Sequence, residues 1–257
     1  MRLTILGTGT SMGVPVIGCD CAVCNSSDPR DKRTRVSAVV ECRNGARLLI
    51  DSPPELRLQM ISAKIGAVDA VLYTHDHADH VHGIDDLRAI SVSNGTLPLY
   101  GPGECLERIE QRFDYIFDSG IVPPKGTFKP QLETRSLTPG SEVEIAGVAV
   151  TPIAFDHGTT TVFGYRIGDL AYVTDVKRVD ETAMKLLRGV KILVLNALFE
   201  KPHPTHLSIP EALDVAKEVG AERTFLTHLT HRFSHAELLK KMPAGVEPAH
   251  DGLVVPF

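Results

Sequence analysis

The chain has 257 residues, 43% hydrophobic and 23% charged, with 21 Gly, 17 Pro and no Trp. That length can bury a core without disulfides, and no apolar run reaches the ~18 residues of a transmembrane helix. A net charge of −5 and a pI near 6.1 give no global basic field for holding nucleic acid non-specifically.

Met1-Arg2-Leu3-Thr4-Ile5 lacks the layout of a signal peptide and reads as the start of a strand, so a cytoplasmic location is expected. In chain order, β-branched and apolar runs predict strands over Arg2–Gly7, Ser37–Cys42 and Arg47–Ile50. A helix over Pro54–Ile61, a strand over Ala70–Thr74 and a helix over Ile84–Ser91 follow. Leu97–Tyr100 reads as a strand, Cys105–Phe117 as a helix and Ile121–Thr127 as a Pro/Gly-rich surface loop. Strands are predicted over Val143–Phe155, Thr161–Ile167, Leu170–Thr174, Ile192–Asn196 and Arg223–Thr227. Helices are predicted over Val179–Arg188, Ile209–Val219 and Ser234–Lys241, with Ser208 as an N-cap and Pro210 in the first turn of the second of these. The pattern suggests one domain, residues 1–257, of two packed sheets with helices outside.

Five of these strands end in His or Asp. Asp51 follows Leu48-Leu49-Ile50, and His75-Asp76-His77-Ala78-Asp79-His80 follows Val71-Leu72-Tyr73-Thr74. Asp156-His157, Asp175 and His228 follow three more. Strand ends of layered α/β proteins converge on one rim. His75 and His77, two apart in extended backbone, project to one side. Asp79 and His80 follow around a turn and can face a second point nearby. Imidazole and carboxylate together suit Zn, Mn or Fe. His157 and His228 can add one ligand each, and Asp175 can bridge two ions.

Cys19, Cys21 and Cys24 are too close together to bridge one another easily. Structural zinc wants four ligands, so either Cys42 or a histidine fills the vacancy; His231, three residues after His228, is the choice. Cys42 and Cys105 otherwise read as small buried residues. Gly7-Thr8-Gly9-Thr10-Ser11-Met12-Gly13 is not a dinucleotide fingerprint; its small residues let backbone pass close to the rim. Asp31-Lys32-Arg33-Thr34-Arg35 reads as a solvated basic face or as the border of an anionic substrate. Arg88 and Lys129 could meet a phosphate, but they read as solvated surface residues.

His75-x-His77-x-Asp79-His80, with His157, Asp175 and His228 in order downstream, resembles the metal signature of the metallo-β-lactamase superfamily. The resemblance implies an α/β fold, a four-layer αββα sandwich. It also implies His75, His77 and His157 on one ion, Asp79, His80 and His228 on the other, Asp175 between, and Asp51 supporting the histidines from behind. The glycine loop, the Cys triplet and Thr227-His228-Leu229-Thr230-His231 are together similar to the PhnP-type branch. Those proteins are phosphodiesterases that open a phosphoribosyl cyclic phosphate, with a structural zinc on three Cys and one His.

This implies two divalent transition metals (Zn or Mn, with Fe as a further option), one structural Zn, a bridging hydroxide as nucleophile, and Asp79 and His206 as catalytic residues. His206 would act at the leaving group, with His203 its rival. A small phosphodiester is the expected partner; nucleic acid and membrane are not, and a homodimer is compatible with the sequence. Transfer-RNA 3′ processing and thioester hydrolysis stay open as alternatives, as does a PqqB-like metal-binding carrier without turnover.

Overall fold

The computed structural model describes every residue from Met1 to Phe257. Its first seven strands are β1 (Arg2–Gly7), β2 (Ser37–Glu41), β3 (Arg47–Ile50), β4 (Ala70–Leu72), β5 (Leu97–Gly101), β6 (Leu132–Ser136) and β7 (Val143–Ile145). They continue as β8 (Val148–His157), β9 (Thr160–Ile167), β10 (Leu170–Val173), β11 (Ile192–Asn196), β12 (Arg223–Thr227), β13 (Val246–Pro248) and β14 (Val254–Pro256). One seven-stranded sheet has the order β14-β1-β2-β3-β4-β5-β6 and the other β13-β12-β11-β10-β9-β8-β7. In the first, β14 through β3 pair antiparallel and β3 through β6 parallel. In the second, β7 through β10 pair antiparallel and β10 through β13 parallel.

Alternation along each strand decides the layers. In β4, Ala70 and Leu72 enter the core between the sheets, while Val71 and the following Tyr73 face outward under helices. In β11, Ile192 and Val194 point inward, and Leu193 and Leu195 outward. Both faces of these parallel strands are covered, so they read as continuous apolar runs. The outer face of the first sheet is covered by α1 (Leu56–Ser62), α2 (Ala78–Val81), α3 (Arg88–Asn94), α4 (Gly103–Arg112) and α5 (Asp114–Phe117). That of the second is covered by α6 (Glu181–Leu187), α7 (Ile209–Val219) and α8 (His235–Lys241). The result is the expected αββα sandwich. Ser208 caps α7 in a capping box with Glu211, and Pro210 lies in its first turn.

Three predicted elements are corrected. The strand over Val143–Phe155 is a hairpin, because Ala146 and Gly147 both adopt positive φ and turn the chain between β7 and β8. The helix over Cys105–Phe117 breaks at Phe113, whose backbone leaves the helical region. The Ile84–Ser91 helix begins as a 3₁₀ turn over Ile84–Leu87. The sequence reading also lacked β6, β13 and β14. β6 is a largely polar edge strand and the other two are three residues each, so none carries a clear alternation signal.

Gly83 closes the segment that carries the histidines. Its N–H donates to the Ser52 carbonyl at 2.8 Å, and a Cβ there would lie 2.1 Å from the Pro53 carbonyl oxygen and 2.9 Å from Leu56 Cβ. Gly83→Ala is therefore expected to cost about 1–3 kcal/mol by overpacking, read as a lowered urea midpoint at unchanged m-value.

Candidate metal centres at the strand ends

Three residues at the ends of β3, β10 and β12 adopt left-handed backbone: Asp51 (φ 58°), Asp175 (φ 58°) and His228 (φ 56°). L-residues rarely occupy this region. Here it turns the chain sharply, so that each side chain returns over the end of its own strand. Only five non-glycine residues have positive φ; three of them lie on this one rim, which concentrates backbone strain there.

Asp51 organises the first sheet's contribution. Its buried carboxylate accepts from the Thr74 N–H at 2.8 Å, the Thr74 hydroxyl at 2.8 Å and His80 Nδ1 at 2.7 Å. His80 therefore carries its proton on Nδ1 and turns Nε2 inward. There Nε2 lies 3.5 Å from an Asp79 oxygen and 3.4 Å from an Asp175 oxygen, buried and without a hydrogen-bond partner. His157 is oriented similarly. Its Nδ1–H donates to the Thr205 carbonyl at 2.9 Å, which leaves Nε2 unprotonated. His75 Nε2 and His77 Nδ1 are 2.9 Å apart. From the second sheet, Asp175 Oδ1 lies 3.0 Å from His228 Nε2 and 2.9 Å from His206 Nε2, and the Thr174 hydroxyl donates to Oδ2 at 2.5 Å.

The seven residues predicted for the dinuclear site thus meet, with His206 beside them. Four overlapping groups have ligand atoms within 4.8 Å of one another: His75, His77 and His157; His75, His80 and Asp175; Asp79, His80 and His228; and His157, Asp175 and His206. The donor chemistry fits divalent transition ions, and the orphaned His80 Nε2 is a buried polar atom aimed at the centre. Charge is distributed unevenly across the cluster. Burial lowers His75 well below the usual imidazole range, and it also lowers His77 and His157. Burial opposes charge on His80 too, but Asp175, Asp51 and Asp79 together push it up to about 10. Burial alone would raise Asp175, yet His228, His80 and His206 hold it well below the carboxylate range.

His206 and His203 differ in reach. His206 stacks on His228 with ring centroids 4.7 Å apart and touches Asp175. His203 stands a further 5.3 Å out, its Nδ1 3.2 Å from the Thr205 hydroxyl.

A second cluster lies beside the rim. The sulfurs of Cys19, Cys21 and Cys24 are 3.3, 3.4 and 3.4 Å from His231 Nδ1. Thiolate and imidazole around one tetrahedral zinc would sit about 3.5 Å apart, so these four side chains fit that ion. The Cys24 N–H holds the Cys21 thiol down at about 6, while burial pushes Cys24 up to about 11. Cys42 is elsewhere, in the core between the sheets, and Cys105 is on the buried face of α4.

The segment Asp31–Arg35 needs correction. Arg33 and Asp31 are buried, each 1% exposed, rather than a solvated face or a substrate border. The Arg33 guanidinium donates to the Thr230 and Phe233 carbonyls and faces Asp31, so it is spent inside the protein. It fixes the loop that carries both His228 and His231. The glycine loop packs here too: a Cβ on Gly7 or Gly9 would strike the Arg35 or Arg33 carbonyl, and Thr8 O accepts the Leu229 N–H. Arg88 pairs with Asp85, and Lys129 donates to the Asp118 carbonyl.

Sequence reading missed the supports. Thr74, Thr174 and Thr227 each occupy the position just before a candidate ligand, and this repeated Thr-ligand pair was a legible signal. Arg108 and Arg112 of α4 gave none. They grip Asp76, between His75 and His77, at 3.2 and 2.9 Å.

A family model described as the beta-lactamase superfamily domain matches residues 46–229. The chain is 38% identical over 255 residues to an octanoyltransferase of Porphyromonas gingivalis, covering 98% of this chain but about half (51%) of that protein. It is 29% identical to a ribonuclease Z of Methanopyrus kandleri, over 88% of this chain and 93% of the relative. Among solved structures, a diphosphatase from the PhnP family superposes with a TM-score of 0.91 at 40% identity, covering 100% of this chain and 97% of the other. The chain belongs to the beta-lactamase superfamily and, within it, to the PhnP-type hydrolases of the metallo-β-lactamase fold.

Proposed function

We propose that this hydrolase is a metal-dependent phosphodiesterase that cleaves a small sugar-phosphate diester, cyclic or linear. The observation that carries the reading is the set of overlapping His/Asp groups on one rim, in which Asp175 and His80 each belong to two groups. Residues shared in this way suit two neighbouring ions. His75, His77 and His157 would hold one ion; Asp79, His80 and His228 would hold the other, with Asp175 between them. The similarity to a PhnP-family diphosphatase supports phosphorus as the electrophile.

When bound, divalent ions supply Lewis acidity to a phosphoryl oxygen and acidify water. The chain does the rest. Asp51 and the Thr205 carbonyl hold the Nδ1 atoms of His80 and His157, so their Nε2 atoms face inward without reorganisation. Asp175 orients groups from both sheets. His206 presents an Nε2–H to Asp175 at 2.9 Å, at the edge of the rim, where it can pass a proton to a departing alkoxide. Burial lowers its proton affinity and Asp175 restores part of it. His77, exposed at the mouth, leaves one side open for substrate.

The P. gingivalis relative is about twice as long as the matched region, so its description as an octanoyltransferase is not carried to this chain. The ribonuclease Z relative favours an RNA reading instead. Cleavage of a transfer-RNA precursor in preference to bis(p-nitrophenyl) phosphate and phosphoribosyl 1,2-cyclic phosphate would replace the small-substrate reading.

In Mn-replete protein, His77→Ala is expected to remove most phosphodiester hydrolysis and lower metal content; unchanged turnover would sink the assignment. Asp51→Asn should keep the fold yet weaken metal binding by about 10–100-fold in a chelator competition. Cys21→Ala should lose one zinc equivalent and melt at lower temperature, and an unaltered melting curve would argue against a structural ion.

A further inference from the structure

A cavity of about 430 Å³ opens between the loop that leads to His206 and the loop that follows His231. It is lined by Phe199, Glu200, Lys201, Pro202, Arg232 and Phe233. A ladder of rings joins it to the rim. His228 stacks on His206 at 4.7 Å, His206 lies 5.3 Å from His203, and His203 lies 5.8 Å from Phe199. The cavity therefore sits at the outer end of a continuous path from the candidate reaction centre.

Its chemistry is specific. Glu200 is already paired with Lys241 at 2.9 Å, so Lys201 and Arg232 carry the uncompensated charge of the lining. Lys241 also covers one face of the Phe233 ring, with Nζ 4.1 Å from the centroid. The backbones that carry both rings are held: the Phe199 carbonyl accepts the Ile209 N–H at 2.7 Å, and the Phe233 carbonyl accepts from buried Arg33 at 2.9 Å. Aromatic rings beside free cations favour a planar, anionic ligand, since bases stack on aromatic faces and cations meet phosphate.

We propose that this cavity is a nucleobase subsite, and that the sugar phosphate handled at the rim carries a base. The substrate class is then a small nucleotide diester or diphosphate. This rests on the phosphodiester reading above, but its central test is binding and does not require turnover.

Isothermal titration of the Mn-replete, zinc-containing protein with AMP and with ribose 5-phosphate isolates the base. AMP is expected to bind about tenfold more tightly. Phe199→Ala should bring AMP down to the ribose 5-phosphate level, and Arg232→Gln should weaken AMP at least severalfold, with zinc content measured to show that the His231 loop is intact. Equal affinity of the two ligands in the native protein would overturn the subsite. So would an AMP preference that both variants retain. A single-stranded RNA oligomer binding more than tenfold tighter than AMP at equal salt would overturn the small-nucleotide assignment. If AMP preference follows the expected pattern and no diester is hydrolysed, the subsite stands and the phosphodiesterase reading fails.

Discussion

The rim depends on a backbone conformation. Asp51, Asp175 and His228 each hold a left-handed residue at a strand end, at a cost of order 1–3 kcal/mol apiece. Such strain persists only where surrounding contacts over-determine it. For Asp51 those contacts are the three donors on its carboxylate. For His228 they are the Thr8 carbonyl on the next residue and the Arg33 guanidinium on the loop beyond. Glycine would adopt the same φ more easily, but it would bring no ligand. The strain sets a candidate ligand, or the support of one, where the chain turns.

Electrostatics reinforces the point. Five histidines and two aspartates, largely withdrawn from water, face one another at 2.9–3.5 Å. Without cations this is an awkward neighbourhood: burial discharges His75, while carboxylates on three sides keep His80 protonated. Cations between the groups would relieve both conditions together. The Cys cluster belongs to the same system. His231 is three residues from His228, and buried Arg33 fastens their shared loop, so a zinc there would brace the rim from outside.

The sequence made the outline legible where one signal was strong. The Val71–Thr74 run followed by His75-x-His77-x-Asp79-His80 marked both a strand and the site at its end, and Ser208 with Pro210 marked the start of α7. Other features were hidden because their cause lies far away in the chain. Arg33 reads as a surface charge until the Thr230 and Phe233 carbonyls, about two hundred residues later, close around it. Arg112 is a routine helical cation until Asp76 meets it. The turn at Ala146-Gly147 was passed over because apolar residues continue on both sides of it.

The two sheets share one ladder: four strands antiparallel, then three more added in parallel. In that alignment β3 matches β10, and Asp51 falls on Asp175 with the same φ. The matching makes the two sheets equivalent in strand order and pairing sense. One detail departs from simple chain order: the strand outside β1 is β14, from the other end of the chain. The Phe257 N–H donates to the Met1 carbonyl at 3.0 Å, so the two ends already meet. In topological terms one strand order is used twice, with the last strand of the chain supplying the outer position of the first sheet. The aspartates at the two matching strand ends serve different ends: Asp51 steadies histidines from behind, and Asp175 stands among them.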